Sequence, residues 1–209
     1  MLKALTMIGL AMMASASGQS QANPVLEKVD ASVPVDQQIA IAMSAAPAEV
    51  SANATIYVLQ KSGYVKARDG SNGFTCAIDR EFVTTMEPEC FDAEGTKTIF
   101  QTRLRTEQLR AQGKSEEEIK ADISDGYKSG KYHAPSKPGI VYMLSNQNRV
   151  FDPSSKQVIS FPGHLMFYAP YATAADLGYK SNPALPYLVH PGQPDALMIV
   201  VPAKGAQHH

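Results

Sequence analysis

The chain has little cysteine, no excess of either charge and no long apolar run, and each shortage removes a class of function. With 19 Lys and Arg against 20 Asp and Glu the formal net charge is −1, too balanced for electrostatic capture of nucleic acid or of an anionic membrane. The longest late apolar stretches, such as 196–201, are broken by Pro, Gly or charge, whereas a spanning helix needs about 20 consecutive apolar residues. No stable membrane insertion of the mature chain is expected. The two cysteines, Cys76 and Cys90, form no C-x-x-C and have no His at zinc-finger spacing. Neither a G-x-S-x-G nucleophile elbow nor an H-E-x-x-H helix is present. The common hydrolase and metalloprotease signatures are therefore missing, although a triad can be assembled from scattered residues.

Two near-motifs also fail on their chemistry. Gly113-Lys114-Ser115 resembles the end of a phosphate-binding loop, but Gln108 stands where the first glycine is needed. Asp69-Gly70-Ser71-Asn72-Gly73 lacks the alternating acids of a calcium loop, and its twelfth position is Arg80 instead of a bidentate Glu.

What is present begins with an address. Lys3 precedes an apolar run, Ala4 to Met13, and a small polar segment ending in Ser20-Gln21-Ala22 that suits signal-peptidase cleavage. The sequence predicts a signal peptide over 1–22, a mature start at Asn23 and a periplasmic or secreted location. Lys3 is the only charge in that leader, so 18 Lys and Arg remain against 20 Asp and Glu, a net of −2. About 187 residues suffice for one domain with a sizeable core, expected over 23–202, followed by a flexible tail at 203–209. In an oxidising compartment two cysteines read as one disulfide. Closing a loop of about 15 residues contributes about 3 kcal/mol; a redox-active or metal-binding pair is the alternative.

Val35, Ile39, Ala42, Met43 and Ala46 fall at helical spacing ahead of Pro47. Strand-like runs follow at 54–59, 64–68 and 74–78, separated by Gly-containing turns, which predicts a meander. Cys90 then lies beyond a Pro-containing loop rich in acid, with Glu81, Glu87, Glu89 and Asp92, and the bridge would pin that loop to the sheet. From about 96 to 131 the texture becomes charged and helical. Phe100, Leu104 and Ala111 mark one face of a first helix, Gly113 stops it, and Ser115 with Glu118 forms a capping box for a second helix with the stripe Ile119, Ile123, Tyr127. The charged positions read as solvated faces, with a lid or partner-recognition role as the alternative. An exposed basic loop to Pro138 precedes further strands at 139–144, 163–169, 187–189 and 196–201. Met143, Met166 and Met198 sit within these runs and read as core filling.

His164 stands between a Pro-Gly turn and an apolar strand, so its ring can face a cleft from a sheet edge; a hydrogen-bonded, half-buried His is the blander reading. Pro162-Gly163-His164-Leu165-Met166 and Pro194-Asp195-Ala196-Leu197-Met198 echo one another. If these two strands are neighbours, His190 and Asp195 approach His164. Tyr142 and Tyr168 are candidates for the surface of an apolar or aromatic ligand.

Ser44-Ala45-Ala46-Pro47, Gly73-Phe74-Thr75-Cys76, Cys90 with Asp92, Pro138-Gly139-Ile140 through Leu144, and Pro162 through Met166 occur in a consistent order. Together they resemble a family of uncharacterised bacterial secreted or periplasmic proteins, over roughly 37–202. The resemblance implies no activity, cofactor or substrate. It implies that the helical hairpin is an elaboration, and that Ala196 stands where the family has a second His, which leaves His164 alone.

The expectation is an α+β domain: a mostly antiparallel sheet, an N-terminal helix, a Cys76–Cys90 bridge and a helical hairpin inserted at about 96–131. Its expected role is binding of a small molecule or a protein partner, with no cofactor or metal predicted. The alternative is a hydrolase-like or metal-dependent enzyme with His164 as general base or metal ligand, assisted by Asp195, His190 or an acid from the 87–92 segment.

Overall fold

The computed structural model of the chain describes residues 31–80, 85–152, 154–179, 182 and 185–201. The expected signal, 1–22, and the expected tail, 203–209, lie outside the described residues. Pro34 leads into α1 (Val35–Met43), and Pro47 precedes the single turn of α2 (Ala48–Ser51). The inward face of α1 is rotated from the expected one: Gln38, Ile41 and Ala42 are buried, while Val35 is 43% exposed. Backbone demand explains the rotation. β1 (Thr55–Gln60) pairs with β3 (Thr75–Asp79) only at Thr55 and Ile56. At Leu59 the Gln38 side chain takes a strand's place, accepting from the Leu59 N–H at 2.7 Å and donating to the carbonyls of Leu59 and Val33.

The expected meander is corrected at this point. β2 (Gly63–Arg68) folds back on β1 as an edge strand, and β3 lies on the other side of β1, parallel to it. The acidic loop is likewise a strand, β4 (Thr85–Phe91), antiparallel to β3 with Cys76 directly opposite Cys90. The disulfide therefore staples two adjacent strands, and both cysteines are fully buried. Pro88, which suggested a loop, sits where β4 changes neighbour: β6 (Arg149–Asp152) pairs with Thr85 and Met86, β5 (Ile140–Met143) with Cys90 and Phe91. A residue without an N–H is tolerated in that gap.

Asp92 caps α3 (Ala93–Lys97) by accepting from the N–H groups of Glu94 and Gly95. The helical hairpin follows as expected, with α4 (Ile99–Ala111) and α5 (Glu116–Lys128), the latter opened by the Ser115–Glu118 capping box. The face of α4 differs from expectation: Ile99, Phe100, Thr102, Glu107 and Leu109 are buried and Ala111 is exposed. Beyond it, β6 and β7 (Gln157–Ser160) form a short hairpin that the hydropathy pattern did not reveal. β8 (His164–Tyr168), β9 (Tyr187–Val189) and β10 (Leu197–Val200) complete the sheet.

The architecture is α+β, with a mostly antiparallel sheet in the order β2-β1-β3-β4-β5-β8-β10-β9 and the β6–β7 hairpin attached to β4. Alternation along the strands builds a core on each face. α1 covers Ile56, Val58, Cys76, Ile78 and Cys90 on one side; Phe100 and Ile99 of α4 pack with Phe91, Val141, Met166 and Leu197 on the other. Among the described residues no helix is long and apolar enough to cross a membrane.

Candidate functional site

Where α4 leaves the sheet uncovered toward β9, a pocket of about 220 Å³ opens. Its floor is the face of the sheet that carries Met143, His164, Met166, Leu197 and Ile199. The echo between the two Leu-Met strands has a spatial counterpart here, because β8 and β10 are antiparallel neighbours. Gly163 permits the start of β8 to lie against the backbone of Leu144, where a Cβ would sit within 3.0 Å of it, and this puts His164 opposite Met143.

His164 is 4% exposed. Its Nδ1 lies 3.0 Å from the Pro162 carbonyl, which can only accept, so Nδ1 carries the hydrogen and Nε2 the lone pair. Burial lowers its pKa, partly countered by that hydrogen bond. The ring is thus a neutral acceptor lining the pocket.

The polar end comes from β3, β4 and α4. Asp79 faces Glu87 across the ladder and Ala77 faces Glu89, so these three carboxylates share the pocket side of the sheet. Arg103 descends from α4 to pair with Asp79 at 2.7 Å, and it reaches Asp195 at 4.0 Å. Burial alone would lower the Arg103 pKa, but Asp79, Glu89 and Asp195 reverse that and hold the guanidinium charged. At Asp195 burial pushes the carboxyl up, and the hydrogen bond from His190 together with the Arg103 charge outweighs it, leaving the pKa below the ordinary value. His190 Nδ1 is 3.1 Å from Asp195 Oδ2, and its backbone is left-handed at φ 50°. A non-glycine residue in that region is strained and is often held so at functional sites.

A second cavity of about 460 Å³ adjoins the first through Arg103 and His190. Arg80, Arg110 and Lys120 line it together with Asp195 and the α5 stripe Ile119, Ile123 and Tyr127. Two of its cations are already engaged, since Glu107, 1% exposed, is shared between Arg80 and Arg110.

The fold thus gathers the three candidate residues: His164 and His190 line one pocket, and Asp195 is bonded to His190. Tyr142 and Tyr168 are placed elsewhere. Tyr142 lies on the opposite face of the sheet, against Phe74 at 6.1 Å. Tyr168 donates to Asp92 at 2.7 Å in a niche kept open by Gly95 and Gly139; Asp92 therefore serves this corner and not the pocket. Among the described residues no three His, Cys, Asp or Glu are grouped to hold a metal ion. Sequence reasoning missed Arg103 and Asp79. The spacing of Glu87 and Glu89, two apart, was a usable signal that both carboxylates share one strand face.

Comparison with known protein families, with curated proteins and with solved structures gives no match.

Proposed function

We propose that the protein is exported and binds a small ligand in the pocket beside α4. The observation that carries this reading is the pocket itself, an apolar floor of Met143, Met166, Leu197 and Ile199 ending in a convergent polar group of Asp79, Glu89, Arg103, His164 and His190. Apolar walls with a few polar groups at one end are the usual make-up of small-molecule sites. Export is supported by the leader-like composition of 1–22 and by the Cys76–Cys90 bridge, since disulfides persist in oxidising compartments. The buried position of both cysteines favours a structural over a redox role for the bridge.

Native mass spectrometry of the untagged protein isolated from its own host tests the reading, with Val189→Trp, a substitution on the edge strand that fills the pocket. A bound small molecule in the wild type, absent from the variant, is the expected result; a bare mass in both overturns it. One observation favours a second reading: the His190–Asp195 pair has the geometry in which a carboxylate orients a general base. Turnover of a captured ligand that is lost in Asp195→Asn would favour that enzymatic alternative.

A further inference from the structure

His164 lies beside two methionines on the floor of the pocket. Met143 stands directly opposite it on β5, Val141 stands opposite Met166, and Met166 follows His164 by two residues on β8. Alternation puts Met143, His164 and Met166 on one face of the sheet, the face that lines the pocket. Met198 does not join them, because its neighbours Leu197 and Ile199 take the pocket side of β10. In such a ladder directly opposed Cβ atoms are about 5 Å apart, and diagonal or same-strand neighbours about 7 Å. Two unbranched, flexible methionine side chains can close those gaps around a common point.

The imidazole is set as a metal-binding one is set. Its Nδ1–H donates to the Pro162 carbonyl at 3.0 Å, which leaves the lone pair on Nε2. Anchoring one ring nitrogen on a backbone carbonyl is the usual way in which a protein orients a histidine ligand. Phe161, its ring centroid 6.0 Å from the imidazole, and Leu197 and Ile199 supply an apolar surround, which limits the access of water to a bound ion. Thioether sulfur selects Cu(I) among the biological metals, and imidazole suits copper equally. We propose that Met143, His164 and Met166 form a Cu(I) site with two sulfur ligands and one nitrogen ligand. The inference goes beyond the small-ligand reading, because the ion needs these three floor positions alone and none of the carboxylates or Arg103.

Competition against the chelator bicinchoninate under argon, with Cu(I) added as its acetonitrile complex, tests this on the untagged protein. Wild type is expected to withdraw one equivalent of Cu(I), and X-ray absorption at the copper edge to show sulfur as well as nitrogen neighbours. Met143→Leu and Met166→Leu nearly conserve volume and are well tolerated in cores. Each is expected to weaken retention by at least about 10-fold, the lower end of what loss of even a supporting contact does to metal affinity. His164→Gln is expected to do the same, and the two leucine variants carry the test if it fails to fold. Met198→Leu is expected to change nothing. The chain ends in His208 and His209, which every variant keeps, so differences between variants read the pocket. No withdrawal of Cu(I) by the wild type, or retention that survives both leucine substitutions, overturns the site. An organic ligand on the protein from its host, without Cu(I) retention, overturns the copper site and leaves the small-ligand reading standing. Cu(I) retention by a protein whose mass from the host is bare supports the copper site and overturns only that earlier reading.

Discussion

Gln38 shows how one polar side chain can decide which face of a helix goes inward. Its amide is 1% exposed and makes three hydrogen bonds, two of them to Leu59 on the side of β1 where pairing with β3 has ended. Replacing it with Leu keeps the volume but strands the Leu59 N–H and carbonyl in the core. The expected loss is about 1–3 kcal/mol for a buried group left without a partner, read as a lower urea midpoint at an unchanged slope. An unchanged midpoint would mean that water serves Leu59 equally well. Glu107 makes the same case with charge. It is 1% exposed between Arg80 and Arg110, so Glu107→Gln removes the buried anion that the two guanidinium groups share, while Arg110 keeps its pair with Glu116. The expected cost is about 3–5 kcal/mol, as for other broken buried ion pairs, and Glu107→Asp should recover part of it in the same unfolding assay. Neither role is legible in a hydropathy pattern, which assigns Gln and Glu to the outside by default.

Elements were legible where a local signal coincided with the tertiary demand. The Ser115–Glu118 capping box, the stop at Gly113 and the four late strands carry their own punctuation, and the fold keeps them. The inward face of α4 carries no such signal, because Arg103, Glu107 and Arg110 repeat at helical spacing on a face that a hydrophobic stripe would normally occupy. Pro88 misdirected the reading of β4, since its defect is absorbed by a change of neighbour that only the assembled sheet reveals. Here the disulfide has a definable part. It links strands that are already hydrogen-bonded, so the double substitution Cys76→Ala, Cys90→Ala should lower stability by about 2–4 kcal/mol while the far-ultraviolet dichroism stays native. Loss of that spectrum would show that the β3–β4 ladder does not form without the bridge.

At the scale of the whole molecule, the shifts given for carboxylates and histidines among the described residues run in one direction. Asp195, Asp122, Asp176, Glu94, Glu117 and Glu118 are held below their ordinary values by hydrogen bonds and nearby cations, and Asp152 is lowered to about 2 by Ser154 and Ser155. Each therefore stabilises the fold above its unfolded pKa and loses that contribution as pH falls through the acid range. His164 has the same sign at a higher pH. Burial lowers its pKa from 6.5, so below that value the unfolded chain takes up a proton that the folded chain resists, and stability declines as pH drops. Two stages of acid loss follow, the first starting near 6.5 from His164 and the second starting near 4.5 from the carboxylates. Urea unfolding of wild type and His164→Gln at pH 8.0, 6.5, 5.5 and 4.5 separates them. The variant should lose the decline that starts near 6.5 and keep the later one. If both proteins decline in parallel through the upper window, the proton is taken up elsewhere and burial does not hold His164 neutral.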